Sequence, residues 1–111
     1  MNSRETGCCQ VTTALPDQAA AEHLAAVLVS ERLAACAQVL GPVSSTYWWK
    51  GQVEHAQEWY CNLKTAEHTL PALQKRLREL HPYQVPEVIA FPISHGDRQY
   101  LDWIQAEVKA P

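Results

Sequence analysis

The residues able to bind metal, move protons or act as nucleophiles in this chain are its histidines and cysteines and a few isolated carboxylates and lysines. His81 stands first among them. It precedes Pro82, and a neutral imidazole there can ligate a metal or shuttle a proton near neutral pH. It can equally end a helix and bond nearby carbonyls. His95, within Ser94-His95-Gly96-Asp97, suits a surface turn, and His23, His55 and His68 suit a wet surface. The four cysteines, Cys8, Cys9, Cys36 and Cys61, form no CxxC pair and no secreted-type framework, so reduced thiols are expected. Cys8 and Cys9, adjacent on a strand, would point to opposite faces, which suits neither a mutual bond nor a shared ion.

Glu58 and Lys64 fall on one face of a strand, but six residues of extended chain separate them by about 20 Å, too far for a direct ion pair. Both can line a pocket with residues of a neighbouring element. Tyr83 lies in His81-Pro82-Tyr83-Gln84-Val85-Pro86-Glu87, a stiff segment in which each proline fixes its own φ and restrains the residue before it. No nucleophile has a placed base, and no GxSxG, Walker, GxGxxG or HExxH pattern occurs, so the chain reads as a binding or assembly module and not an enzyme.

The elements that must position these residues follow from periodicity. Length, 111 residues, fits one domain, with residues 1–7 as a flexible polar tail and 8–111 as the domain. Nine Lys+Arg against twelve Asp+Glu, without a long run of one sign, argue against nucleic acid and membrane surfaces as partners. The N-terminal residues show no signal-peptide core and no apolar run reaches membrane-spanning length, so the expected location is the cytoplasm.

Cys8 to Ala14 predicts a strand, and Asp17 caps a helix running to about Leu33 with Ala20, Leu24, Val27 and Leu28 on its apolar side. Cys36 to Trp49 predicts a second strand bent at Gly41-Pro42, and Lys50-Gly51 a tight turn. The returning strand, Val53 to Thr65, alternates Trp59, Cys61 and Leu63 against Glu58, Tyr60, Asn62 and Lys64. A helix capped near Thr69 carries Leu70, Leu73, Leu77 and Leu80 and stops at His81-Pro82. Val88 to Phe91 predicts a strand buried on both faces, and Asp97 caps a last helix with Leu101, Ile104 and Val108. The order predicts an α+β, ferredoxin-like βαββαβ fold with an antiparallel sheet and an extra C-terminal helix.

The hairpin is too long for the globule. Its second arm, about twelve residues at about 3.4 Å each, would reach about 40 Å, against a diameter of about 34 Å for a globule of this size. It must bend or protrude. A protruding hairpin carrying Tyr47, Trp48, Trp49, Trp59 and Tyr60 exposes an open edge and aromatic surface, and pairing with another copy removes both. The alternative is that Gly41-Pro42 folds it over its own core.

Four blocks, Glu31-Arg32-Leu33-Ala34-Ala35-Cys36, Ser45-Thr46-Tyr47-Trp48-Trp49-Lys50-Gly51, Lys64-Thr65 and His81-Pro82-Tyr83-Gln84-Val85-Pro86-Glu87, resemble the CutA divalent-cation tolerance family in order and separation. The resemblance implies a ferredoxin-like protomer in a cytoplasmic homotrimer linked to tolerance of copper and other divalent cations. It also implies a likeness to the trimeric PII signalling proteins. It groups Trp49, Glu58, Lys64, His81, Tyr83 and Pro86 near subunit contacts, as a small ligand pocket or as pins of the interface. A copper site proposed for the family uses a cysteine near the end of the first strand and two adjacent histidines. The matching positions here are Thr13, Leu80 and His81, so His81 is the metal-ligand candidate, and Thr13 and Leu80 lack the thiolate and imidazole that copper favours. Three readings result: a metal-tolerance trimer binding copper or another divalent cation, a PII-like trimer taking a small ligand between subunits, and a scaffold for another protein.

Overall fold

The structure, a computed structural model, describes residues 6–110. Among them run β1 (Cys8–Leu15), α1 (Gln18–Ser30), β2 (Cys36–Trp49), β3 (Gln52–Ala66), α2 (Leu70–Leu80), β4 (Val88–Pro92) and α3 (Arg98–Glu107), with a 3-10 turn, Glu67–Thr69, before α2. Most of the expected flexible tail, 1–7, lies outside the described residues. At its inner end the Gly7 carbonyl accepts from the Glu67 amide and from Gln105 Nε2, both at 2.8 Å.

The strands form one sheet in the order β2-β3-β1-β4, every neighbouring pair antiparallel, which is the ferredoxin-like arrangement. Register and the two-residue period together assign the faces. Val11 pairs with Leu63, Thr13 with Cys61 and Leu15 with Trp59, so these side chains share one face. Against it α1 lays Leu24 and Leu28, and α2 lays Leu73 and Leu77. None of the eight core residues Val11, Leu15, Leu24, Leu28, Cys61, Leu63, Leu73 and Leu77 is more than 2% exposed.

The second face carries Gln10, Thr12, Gln38, Leu40, Tyr60, Asn62, Lys64, Ile89 and Phe91. One end of it is covered by α3, where Leu101 and Ile104 bury Cys8 and the Tyr100 hydroxyl meets Cys36 Sγ at 3.3 Å. The rest is bare in the protomer. Here β4 departs from expectation: it is the sheet edge, not a doubly buried strand, and Phe91 is 51% exposed. A short apolar run has the same pattern at an edge as in the middle of a sheet, and only strand order separates the two.

Capping is local and specific. Asp17 Oδ1 accepts the Ala20 amide at 2.7 Å, as expected for an N-cap. The first helix ends at Ser30, short of Leu33, because Arg32 turns left-handed (φ 62°) and the Leu33 and Ala34 amides bond back to the Leu28 carbonyl. Thr69 sits at the start of α2 without capping it, and Pro71 occupies the first turn.

The hairpin protrudes. Strands β2 and β3 run 14 and 15 residues and close through Lys50 and Gly51, both at positive φ, the geometry of a two-residue type I′ turn. Pairing slips between Leu40 and Val43, at Gly41-Pro42, which bends the strand without ending it. The Trp59 ring packs so closely on Gly41 that a Cβ there would lie 2.3 Å from Cδ1. The molecule measures 43 × 28 × 22 Å with a radius of gyration of 14.6 Å, above the roughly 13 Å of a rounded chain this long.

Candidate functional site

The two segments that stand out in the sequence meet in space. Residues 83–87 lie across the root of the hairpin, and between them and Val43–Trp49 opens a cleft of about 820 Å³ whose lining also includes Ala14, Glu58 and Tyr60. Pro82 forces the turn that makes this possible. The residue before a proline is driven from helical geometry, and His81 is accordingly extended (φ −77°, ψ 133°), so α2 stops and the chain crosses the sheet end.

His81 anchors the crossing. Its Nδ1 accepts the Tyr83 amide at 3.1 Å and its Nε2 lies 2.9 Å from the Ala14 carbonyl. Since an amide can only donate and a carbonyl only accept, the ring is neutral with its proton on Nε2. Burial lowers its pKa below the ordinary histidine value, against the raising effects of the Ala14 carbonyl and Glu58. The Tyr83 hydroxyl then donates to Glu58 Oε2 at 2.8 Å, tying the crossing segment to β3. Burial and Glu58 both push that phenol's pKa well up, so it stays a donor.

Of the residues grouped in the sequence, Trp49, Glu58, Tyr83 and Pro86 line the cleft. His81 lies outside its lining and supports Tyr83 from within the protein, 8% exposed. Lys64 is elsewhere on the second face, with Nζ 2.6 Å from Gln38 Oε1, consistent with the separation computed from strand rise. Glu87 and Tyr60 belong to the wall although the sequence did not mark them as site residues. The signal for Tyr60 was its alternation with Glu58, and for Glu87 its place at the end of the proline-bounded segment. Burial and the Glu58 charge raise the Glu87 pKa, and Glu87, then burial, then Glu58 raise that of Tyr60. The residues lining the cleft include no Lys, Arg or His.

The donor set at the copper positions does not suit copper. Thr13 is buried with its hydroxyl unpaired among the described residues, Leu80 packs against the apolar core, and both His81 nitrogens are engaged. Among the described residues no three His, Cys, Asp or Glu converge as a metal cluster. Two of the thiols are poor substitutes: burial pushes Cys9 and Cys61 up to about 11, which keeps them protonated at neutral pH. All four cysteines are free.

Residues 9–107 match the family profile described as "CutA1 divalent ion tolerance protein". The chain belongs to this family. A divalent-cation tolerance protein CutA of Thermus thermophilus is 43% identical over 95 residues, covering 86% of this chain and 92% of that protein. The crystal structure of CutA from Xylella fastidiosa superposes with a TM-score of 0.90 at 41% identity, covering 93% and 99% of the two chains. A CutA structure from Archaeoglobus fulgidus, described as a periplasmic divalent cation tolerance protein, superposes at 0.88 with 30% identity and 92% and 99% coverage. These two structures thus share both the sheet and the long hairpin region, since the coverages leave no room for omitting either.

Proposed function

We propose that the chain serves divalent-cation tolerance as a cytoplasmic homotrimer, acting through assembly and ligand binding and not through catalysis. The observation that carries this reading is the shape of the protomer. A hairpin projecting from the globule exposes Trp48 at 74%, and the uncovered sheet face beside it carries Leu40, Ile89 and Phe91 in water. Surface of that kind is covered when copies associate, and a bare edge such as β4 is protected at the same time. The surface calls for association and the family resemblance sets the number at three, so light scattering should give a mass of three copies of a 12.5 kDa chain. A single-copy mass would overturn the reading.

Among the described residues no helix is long and apolar enough to cross a membrane, and the cytoplasmic placement is carried by the family resemblance. Cell fractionation tests it, the more so because the Archaeoglobus relative is described as periplasmic. Direct copper binding is expected to be weak. A metal at His81 must displace the Tyr83 amide or the Ala14 carbonyl and finds no donor at Thr13 or Leu80 comparable to a thiolate or imidazole. Titration calorimetry with copper checks this, a stoichiometric tight site being the contrary result.

A second reading is favoured by the cleft. Its volume of about 820 Å³ lies within the range of small-molecule sites, and its walls come from the hairpin that would meet a neighbouring copy. In this PII-like reading a small ligand occupies the cleft beside the subunit contact and alters what the trimer engages.

A further inference from the structure

The charge and wall chemistry of the cleft specify what it can take. We infer that it receives a small organic cation, an ammonium or guanidinium group carried on an apolar or aromatic body. The inference deepens the ligand-cleft reading and depends on it.

Five of the cleft's lining residues are aromatic and two, Glu58 and Glu87, are acidic. An anionic ligand would meet these carboxylates without a single Lys, Arg or His among this protomer's lining side chains to compensate. A neutral apolar ligand would gain from the rings but leave the carboxylates without a partner. A cation satisfies both, through ring faces that attract positive charge and carboxylates that neutralise it. The Trp49 ring already carries one such contact at the cleft margin, with the chain's own Lys50 Nζ standing 5.6 Å from its centroid.

A hydrated divalent metal fits less well. Calcium and magnesium require six or more oxygen ligands, and among the described residues no three acidic, His or Cys side chains converge. An alkylammonium or guanidinium group is more weakly hydrated and gains more from an aromatic wall. Glu58 keeps capacity for it, because the Tyr83 hydroxyl occupies one carboxylate oxygen, Oε2, and no hydrogen bond to Oε1 is present among the described residues. The hydroxyl of Ser45, which by register shares the Glu58 face of the hairpin, can orient a ligand's polar substituents.

The test titrates the purified full chain, in whatever assembly it adopts, with benzyltrimethylammonium, benzyl alcohol and benzenesulfonate. Calorimetry and tryptophan fluorescence provide the readouts. Saturable binding of the cation alone is expected. The double variant Glu58→Gln/Glu87→Gln should weaken it on the order of tenfold, the scale of a cation losing two partly exposed carboxylates. Because Glu58→Gln touches the Tyr83 bond and can disturb the fold, Glu87→Gln alone is measured too, and a several-fold weakening is expected from it. Equal binding of alcohol or sulfonate, unchanged affinity in Glu87→Gln, or no saturable cation binding by the folded protein would each overturn the inference. Light scattering of the same sample separates the two ideas. A monomer that binds the cation refutes the trimer and keeps the cleft, and a trimer that ignores it does the reverse.

Discussion

The strand pair β2–β3 passes through two environments within one continuous ladder. On the inner side of Gly41-Pro42 its residues Cys61 and Leu63 are completely buried under α1 and α2, and on the outer side Trp48 and Val53 stand in water. Hydrogen bonding along the ladder is the same kind in both regions. What differs is the layer on top, so backbone pairing sets the shape of the hairpin while side-chain burial sets where its stability comes from. The outer region is built for an encounter outside the protomer, and the inner one for folding.

This contrast can be broken most strongly from the inside. Leu63→Ala removes a fully buried side chain and should cost about 2–5 kcal/mol in denaturant unfolding at fixed protein concentration. A loss no larger than that of an outer-hairpin substitution would erase the distinction between the regions. Next is the boundary. Gly41→Ala places a Cβ 2.3 Å from the Trp59 ring and should cost about 1–3 kcal/mol, with a change in tryptophan emission as the ring moves.

A pH scan sharpens the boundary at the cleft. The unfolded His81 takes its proton near 6.5 and the folded one only at lower pH, so between those values the unfolded state binds more protons. Stability therefore falls as pH drops below about 6.5, toward the folded pKa, and His81→Asn should flatten that acid-side slope. Glu87 works in the opposite sense. Its raised carboxyl binds protons better in the folded state above 4.5, and Glu87→Gln should steepen the acid-side fall.

Smaller effects are expected from the edges of both regions. Asp17→Ala loses the α1 cap and about 1 kcal/mol. Trp48→Ala should leave protomer stability within about 0.5 kcal/mol yet lower the assembled mass at low concentration. A Trp48→Ala protein that unfolds easily but keeps its mass would reverse the roles assigned here.

Much of the fold was legible because its signals are short-ranged. Alternation in β3 separated Cys61 and Leu63 from Tyr60 and Lys64, Asp17 and Asp97 announced their helices, and Pro82 dictated the end of α2. The overlong hairpin followed from counting residues against the size of the globule. The edge position of β4 was not legible, since Val88 to Phe91 carries no local mark of what lies beside it. Nor was the early end of α1, which depends on Arg32 adopting positive φ and on the Leu33 and Ala34 amides bonding back to the Leu28 carbonyl.

The candidate site divides in the same way. Sequence alone identified the aromatic run and the proline-bounded segment, because residue type and proline geometry are properties of the chain itself, while the mismatch of Thr13 and Leu80 with copper came from the family resemblance. That Glu58, Tyr60 and Glu87 share a wall, that Lys64 stands apart from it, and that both nitrogens of His81 are occupied were decided by the tertiary structure. Those facts require strand register and the crossing of residues 83–87 over the hairpin root. Contacts between residues 25 or more positions apart have no period in the sequence to announce them, and the Tyr83–Glu58 bond is of that kind.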